Sequence, residues 1–133
     1  MKLNNFVEIY KLFLNSMPWP ILIEDLESNV IFVNTRYEDM YNTKLKDVIE
    51  KKNEEYLPRY NEQIKECLKN QTVYITEDMI NGSFVENFIF PILNDKGIPQ
   101  AVAVIEIDIN DRKLREFELE NQKDAQDLNL ILK

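Results

Sequence analysis

Only two glycines occur in this sequence of 133 residues, and both stand in short turns between runs of β-branched and aromatic residues. No other feature constrains the chain so tightly. Asn81-Gly82 separates Val73–Ile80 from Phe84–Leu93. A type I′ turn needs positive φ at both central residues, which asparagine and glycine tolerate, and its hand matches the twist of the flanking strands. Asn94-Asp95-Lys96-Gly97 separates Phe84–Leu93 from Ala101–Ile109, again closing on glycine. Three strands in consecutive hairpins are therefore predicted.

A second, shorter hairpin precedes them. Ile21 to Glu24 and Val30 to Val33 are β-branched runs joined through Asp25-Leu26-Glu27-Ser28-Asn29. Between the two hairpin regions the pattern is helical. Asn34 or Thr35 is a suitable cap for a short helix over Arg36 to Tyr41, whose Glu38 and Asp39 suit its positive end. Leu45 to Ile49 suggests another helical turn, and Tyr56 to Asn70 a longer helix with Tyr56, Tyr60, Ile64, Cys67 and Leu68 on one side.

Helices also flank this region. Phe6, Ile9, Tyr10, Phe13 and Leu14 recur at helical spacing and form an apolar stripe that must cover something. Met17-Pro18-Trp19-Pro20 ends that helix, because proline lacks an amide donor and restricts the residue before it. At the other end, Arg112 to Leu132 reads as a charged rod about 30 Å long. Leu114, Phe117, Leu128 and Ile131 fit heptad positions, but Asn121 and Asp124 interrupt them. The expected division is an amphipathic helix over 1–15, an α+β domain over 16–111 and a connecting helix over 112–133.

Several function classes are disfavoured. A formal net charge of −8, with lysines scattered among acids, opposes nucleic-acid binding. No run approaches the roughly 20 apolar residues of a membrane helix, and no secretory layout stands at the N-terminus, so a cytoplasmic location is expected. The sequence has no histidine, which removes the usual general base, the commonest metal ligand and the proximal haem ligand. Neither a metal site nor a catalytic residue is assigned. Cys67, the single cysteine, cannot close an internal disulfide and is expected to be a half-buried helix residue.

Two strands, a block of short helices and three hairpin-linked strands resemble the PAS domain, over roughly Leu12 to Lys113. The similarity rests on ILIEDLESNVIFVN, on FPILNDKGIPQAVAVIEID, and on Asp108-Ile109-Asn110-Asp111-Arg112-Lys113. The last string is similar to the aspartate-isoleucine-threonine motif, often followed by an acidic residue and Arg-Lys, where PAS domains join a signalling helix. Asn110 stands in place of the threonine, and the first turn lacks the family's common Asp-Gly. The resemblance implies a five-stranded antiparallel sheet cupping short helices on one face, with any ligand between them. It also implies an attached output such as a histidine kinase or cyclic-dinucleotide enzyme, with Asp108, Asn110 and Arg112 relaying to it. No cofactor is assigned. Histidine-ligated haem is not expected, and neither is cysteinyl-flavin photochemistry, because Cys67 lies in QIKECLKN rather than in an Asn-Cys-Arg motif.

Strand parity sharpens the expected pocket, since alternate residues face opposite sides of a sheet. Counted by the family pattern, Val85, Asn87 and Ile89 face the cup, with Val102, Val104 and Glu106, Leu22 and Glu24, and Ile31 and Val33. Glu24, Asn87 and Glu106 are then its polar groups, with Tyr41 and Tyr60 as lining candidates. A buried carboxylate needs a donor. Either these residues recognise a small ligand rich in donors or positive charge, or they lie at strand ends, solvated or paired with Arg36, Arg59 or lysines. The tyrosines line a pocket or simply fill core.

The same parity makes the other face aromatic, with Phe32, Phe84, Phe88, Phe90, Ile105 and Ile107. Such a patch should be covered, and Phe6, Ile9, Tyr10 and Phe13 are the cover in their own chain or across a homodimer. The leading expectation is a non-catalytic sensory module of a larger signalling protein. The alternatives are a ligand-free dimerisation adaptor and a small cone-fold enzyme using Glu24 or Glu106 as base.

Overall fold

A computed structural model describes residues 3–49 and 61–132. Helix α1 (Leu3–Ser16) leads into strands β1 (Ile21–Asp25) and β2 (Val30–Val33). Helices α2 (Thr35–Tyr41), α3 (Leu45–Val48) and α4 (Asn61–Asn70) follow. Strands β3 (Tyr74–Ile80), β4 (Ser83–Leu93) and β5 (Pro99–Asp108) then run into α5 (Asn110–Leu132). The part of the predicted Tyr56–Asn70 helix before Asn61 lies outside the described residues.

The five strands form one sheet in the order β2-β1-β5-β4-β3, with every neighbouring pair antiparallel. The last strand in the sequence thus occupies the centre of the sheet, between β1 and β4. Both glycine turns have the expected backbone: Asn81 and Gly82 take φ of 51° and 81°, and Gly97 takes 76°. The first hairpin solves the same problem without glycine. Ser28 adopts a φ of 69°, and the Asp25 carboxylate accepts bonds from the Glu27 and Asn29 amides and from the Asn29 side chain.

One parity expectation fails. Val33 pairs with Leu22 and Phe32 with Ile23, but Glu24 pairs with Val30. Ile31 is the extra residue of a bulge, so the alternation breaks there and it points to solvent, while Val30 takes the inward position. The α5 helix also begins two residues earlier than Arg112, at Asn110.

The core lies between the sheet and the short helices. Leu22, Val30, Val33, Ile89, Val102 and Val104 supply the sheet side. Tyr37 of α2, Val48 of α3, and Ile64 and Cys67 of α4 supply the helix side. Asn34 fixes how these parts meet. It is fully buried; its Oδ1 accepts from the Ile21 and Tyr37 amides, and its Nδ2 donates to the Leu14 and Trp19 carbonyls. One side chain thereby caps α2, ties that helix to β1 and anchors the chain leaving α1.

Helix α1 does not cover the outer sheet face in its own chain. Phe6, Ile9, Tyr10 and Phe13 are all exposed, between 44% and 64%. Its connection to the domain is local, at its last turn, where the Leu14 carbonyl accepts from Asn34 and the Asn15 side-chain oxygen accepts from the Thr35 amide.

Candidate functional site: a polar-ended cup and its helical junction

The three polar residues expected in the cup all point inward and are buried: Glu24 is 1% exposed, Asn87 1% and Glu106 2%. None is a solvated strand end. The β4–β5 register sets Asn87 directly opposite Glu106, while Glu24 pairs with Val102, four residues before Glu106 on β5. At the rise of an antiparallel strand, Glu24 and Glu106 stand about 13 Å apart. The cup therefore has two polar ends and an apolar middle made by Leu22, Val33, Ile89 and Val104.

At the Glu106 end, the Tyr41 hydroxyl lies 2.6 and 2.7 Å from the two carboxylate oxygens. Tyr41 reaches it from the end of α2, where its ring lies against Tyr37 with centroids 4.5 Å apart. Across the sheet, the Asn87 amide donates to the Thr76 hydroxyl at 3.3 Å. The Tyr41–Glu106 and Asn87–Thr76 pairs thus stand side by side on one polar wall, with Asn87 opposite Glu106 in the register. Thr76 was missed in the sequence, although counting back from the Asn81-Gly82 turn places it opposite Asn87. Tyr60 lies outside the described residues.

Cys67 is more buried than its sequence suggests. It is fully enclosed, with its thiol sulfur 3.8 Å from the Ile89 carbonyl, and burial pushes its pKa above the ordinary thiol value. A thiol held neutral in the core is unsuited to nucleophilic work.

The sheet passes into α5 through a compact set of bonds. Asp108 Oδ1 accepts from the Asn110 amide at 2.9 Å, and Asn110 Oδ1 accepts from the Phe84 amide at 2.8 Å. The Ile109 amide in turn donates to the Phe84 carbonyl. Asparagine therefore places an acceptor on the start of β4 from this junction position. One turn on, Arg112 Nη2 lies 2.9 Å from Glu86 and 3.3 Å from Glu77, and Lys113 Nζ lies 2.8 Å from Glu77. The hydrogen bond from Lys113 holds the Glu77 pKa below the usual carboxylate range, and Glu86 and Glu77 raise those of Arg112 and Lys113.

An antiparallel five-stranded sheet, a helix-covered cup and a helix leaving from the last strand define an α+β domain of the type the sequence suggested. The PAS fold family matches residues 14–114, and the chain belongs to that family. Solved structures share its fold. The PAS domain of BvgS from Bordetella pertussis is 20% identical with a TM-score of 0.62, over 90% of this chain and 96% of that one. A sensory box sensor histidine kinase from Vibrio cholerae is 13% identical with a TM-score of 0.61, over 79% and 92%. An RNA-binding light-oxygen-voltage receptor is 13% identical with a TM-score of 0.65; the match spans 97% of this chain but only 40% of the receptor. No curated protein matches the sequence. Among the described residues, no helix is long and apolar enough to cross a membrane.

Proposed function

We propose that this chain is the non-catalytic sensory input module of a larger cytoplasmic signalling protein, of the sensor histidine kinase or diguanylate cyclase type. A small ligand rich in hydrogen-bond donors is recognised at the polar wall of Glu106, Asn87 and Tyr41, with Leu22, Val33, Ile89 and Val104 around it and Glu24 at the far end of the cup. The observation that carries this reading is the continuity of strand β5. Glu106 faces the cup, and two residues later Asp108 begins the bonded junction with Asn110 that launches α5. A shift of β5 at Glu106 is therefore felt at the start of α5, where Arg112 carries it to an output domain. Such coupling requires a ligand that binds two states with different affinity. Native mass spectrometry of the protein as purified tests the reading. A retained small molecule, released on unfolding, supports it; a bare chain that takes up none of a panel of amines, amino acids and nucleobases refutes it.

Dimerisation is the second part of the proposal. Phe6, Ile9, Tyr10 and Phe13 present an apolar stripe about 12 Å long on α1, at 1.5 Å per residue. On the outer sheet face, Ile75, Met79 and Phe84 are exposed and Phe88, Phe90 and Ile105 only half-buried. Apolar surfaces of this extent on one molecule favour mutual burial between two copies. Sedimentation is expected to give twice the chain mass, falling to the monomer when the residues before Asn15 are deleted. A monomer at all concentrations, indifferent to that deletion, contradicts it. The adaptor reading, in which dimerisation is the whole function, is favoured by one observation. Tyr37, Val48, Ile64 and Cys67 close over the apolar middle of the cup.

A further inference from the structure

The cations at the start of α5 meet an arrangement that β3 and β4 do not favour by themselves. Glu77 and Glu86 are directly opposite each other in the β3–β4 register and face the outer side of the sheet. Like charges in that relation destabilise a strand pair. Arg112 Nη2 lies between them and reaches both, while Lys113 takes the second oxygen of Glu77 and approaches Glu116 at 3.6 Å. In a chain with 24 acidic and 16 basic residues, two adjacent cations are thus drawn to one acidic pair. Glu86 is largely covered, with its side chain 17% exposed, so it has less water to turn to when Arg112 leaves.

We infer that Glu77 and Glu86 on the sheet, with Arg112 and Lys113 on α5, form an electrostatic latch that holds the helix against the β3–β4 hairpin. With the latch closed, the carboxylates are neutralised and α5 is fixed in direction. With it open, the helix pivots on the Asp108–Asn110 junction and the two carboxylates are left facing each other. The latch gives the relay reading of α5 a physical element with two arrangements, and it rests on that reading for its signalling meaning. Its own existence is read out without ligand or output domain. The apolar side chains of Phe84 on β4 and of Leu114 and Phe117 on α5, which line a groove of about 630 Å³ among polar and charged neighbours, are the competing way to hold the helix.

The test uses amide hydrogen exchange in the full chain, comparing residues 114–120 with the centre of β5. Glu77→Gln with Glu86→Gln is expected to speed exchange in 114–120 about three- to tenfold and leave β5 unchanged. Sodium chloride at about 1 M, where screening acts within a few ångströms, should do the same to the parent protein and add little to the variant. Arg112→Gln with Lys113→Gln should release the helix equally but lower Tm further, because it leaves the carboxylates opposed. Combining all four substitutions should return Tm to that of the glutamate pair variant. Exchange in 114–120 unmoved by both pairs and by salt overturns the latch and assigns the docking to Phe84, Leu114 and Phe117. Equal Tm for the two pair variants overturns the opposed-charge argument. A latch that passes while the cup binds nothing leaves this inference standing and removes only the sensory reading.

Discussion

Replacing Asn34 tests whether one buried amide organises the cup. Its four hydrogen bonds, of 2.9 to 3.0 Å, run to Ile21, Tyr37, Leu14 and Trp19. At a net contribution of about 1 kcal/mol for each bond, Asn34→Ala should cost about 4 kcal/mol. The alternative count gives a similar figure. The Ile21 and Tyr37 amides belong to residues 2% and 1% exposed, and leaving two buried donors unmade costs about 2 to 6 kcal/mol. Against a typical total of about 5 to 15 kcal/mol, this removes a large part of the domain's stability. Asn34→Asp separates the roles, because it keeps the acceptor for both amides, including the α2 cap, and loses both donors. It should cost about 2 kcal/mol or more, since a carboxylate then faces the Leu14 and Trp19 carbonyls. Urea unfolding followed by circular dichroism gives both values. A loss below about 1 kcal/mol for alanine, or an aspartate variant as stable as the parent, would refute the claim that all four bonds act together.

Two further predictions concern the turn and the core. Ser28→Gly relieves a non-glycine residue at a φ of 69° and should stabilise the domain by up to about 1 kcal/mol; a neutral or destabilising result would show that the Asp25-centred turn already compensates. Cys67 has a raised pKa in the folded state, so the unfolded chain loses its thiol proton first as pH rises. The stability from this group is complete below the ordinary thiol value of 9.0 and is lost as pH climbs through the folded value. Urea midpoints should therefore fall above about pH 9 and fall less in Cys67→Ala; equal falls in both would contradict this.

Much of the fold was legible because turn chemistry fixed the register. Asn81-Gly82 sets β3 against β4, and the alternation counted along β4 and β5 puts Asn87 and Glu106 on one face and Phe88 and Ile105 on the other. Parity failed where a bulge intervened. Nothing in Val30-Ile31-Phe32-Val33 marks Ile31 as the extra residue, because the bulge answers to the pairing with β1. Cys67 lies deeper than its spacing implies for a related reason. Helical periodicity gives a side but not the depth to which neighbouring elements enclose it. The contact of Arg112 and Lys113 with Glu77 and Glu86 was hidden as well. It depends on the angle at which α5 leaves the sheet, and the helix starts at Asn110 rather than at the charged run. The stripe of α1 was plain in the sequence, but its spacing carries no information on which surface it meets.

The proposed sensory role depends on recognition of a small ligand at the polar wall around Glu106. Isothermal titration calorimetry of the protein against primary amines, amino acids and nucleobases tests it most directly, with Glu106→Ala as the comparison and its fold checked by circular dichroism. The parent protein should bind at least one compound saturably, with a loss of about tenfold or more in the variant, the scale of one charge-assisted hydrogen bond. Binding of none of them, or equal binding by a folded Glu106→Ala protein, would contradict it.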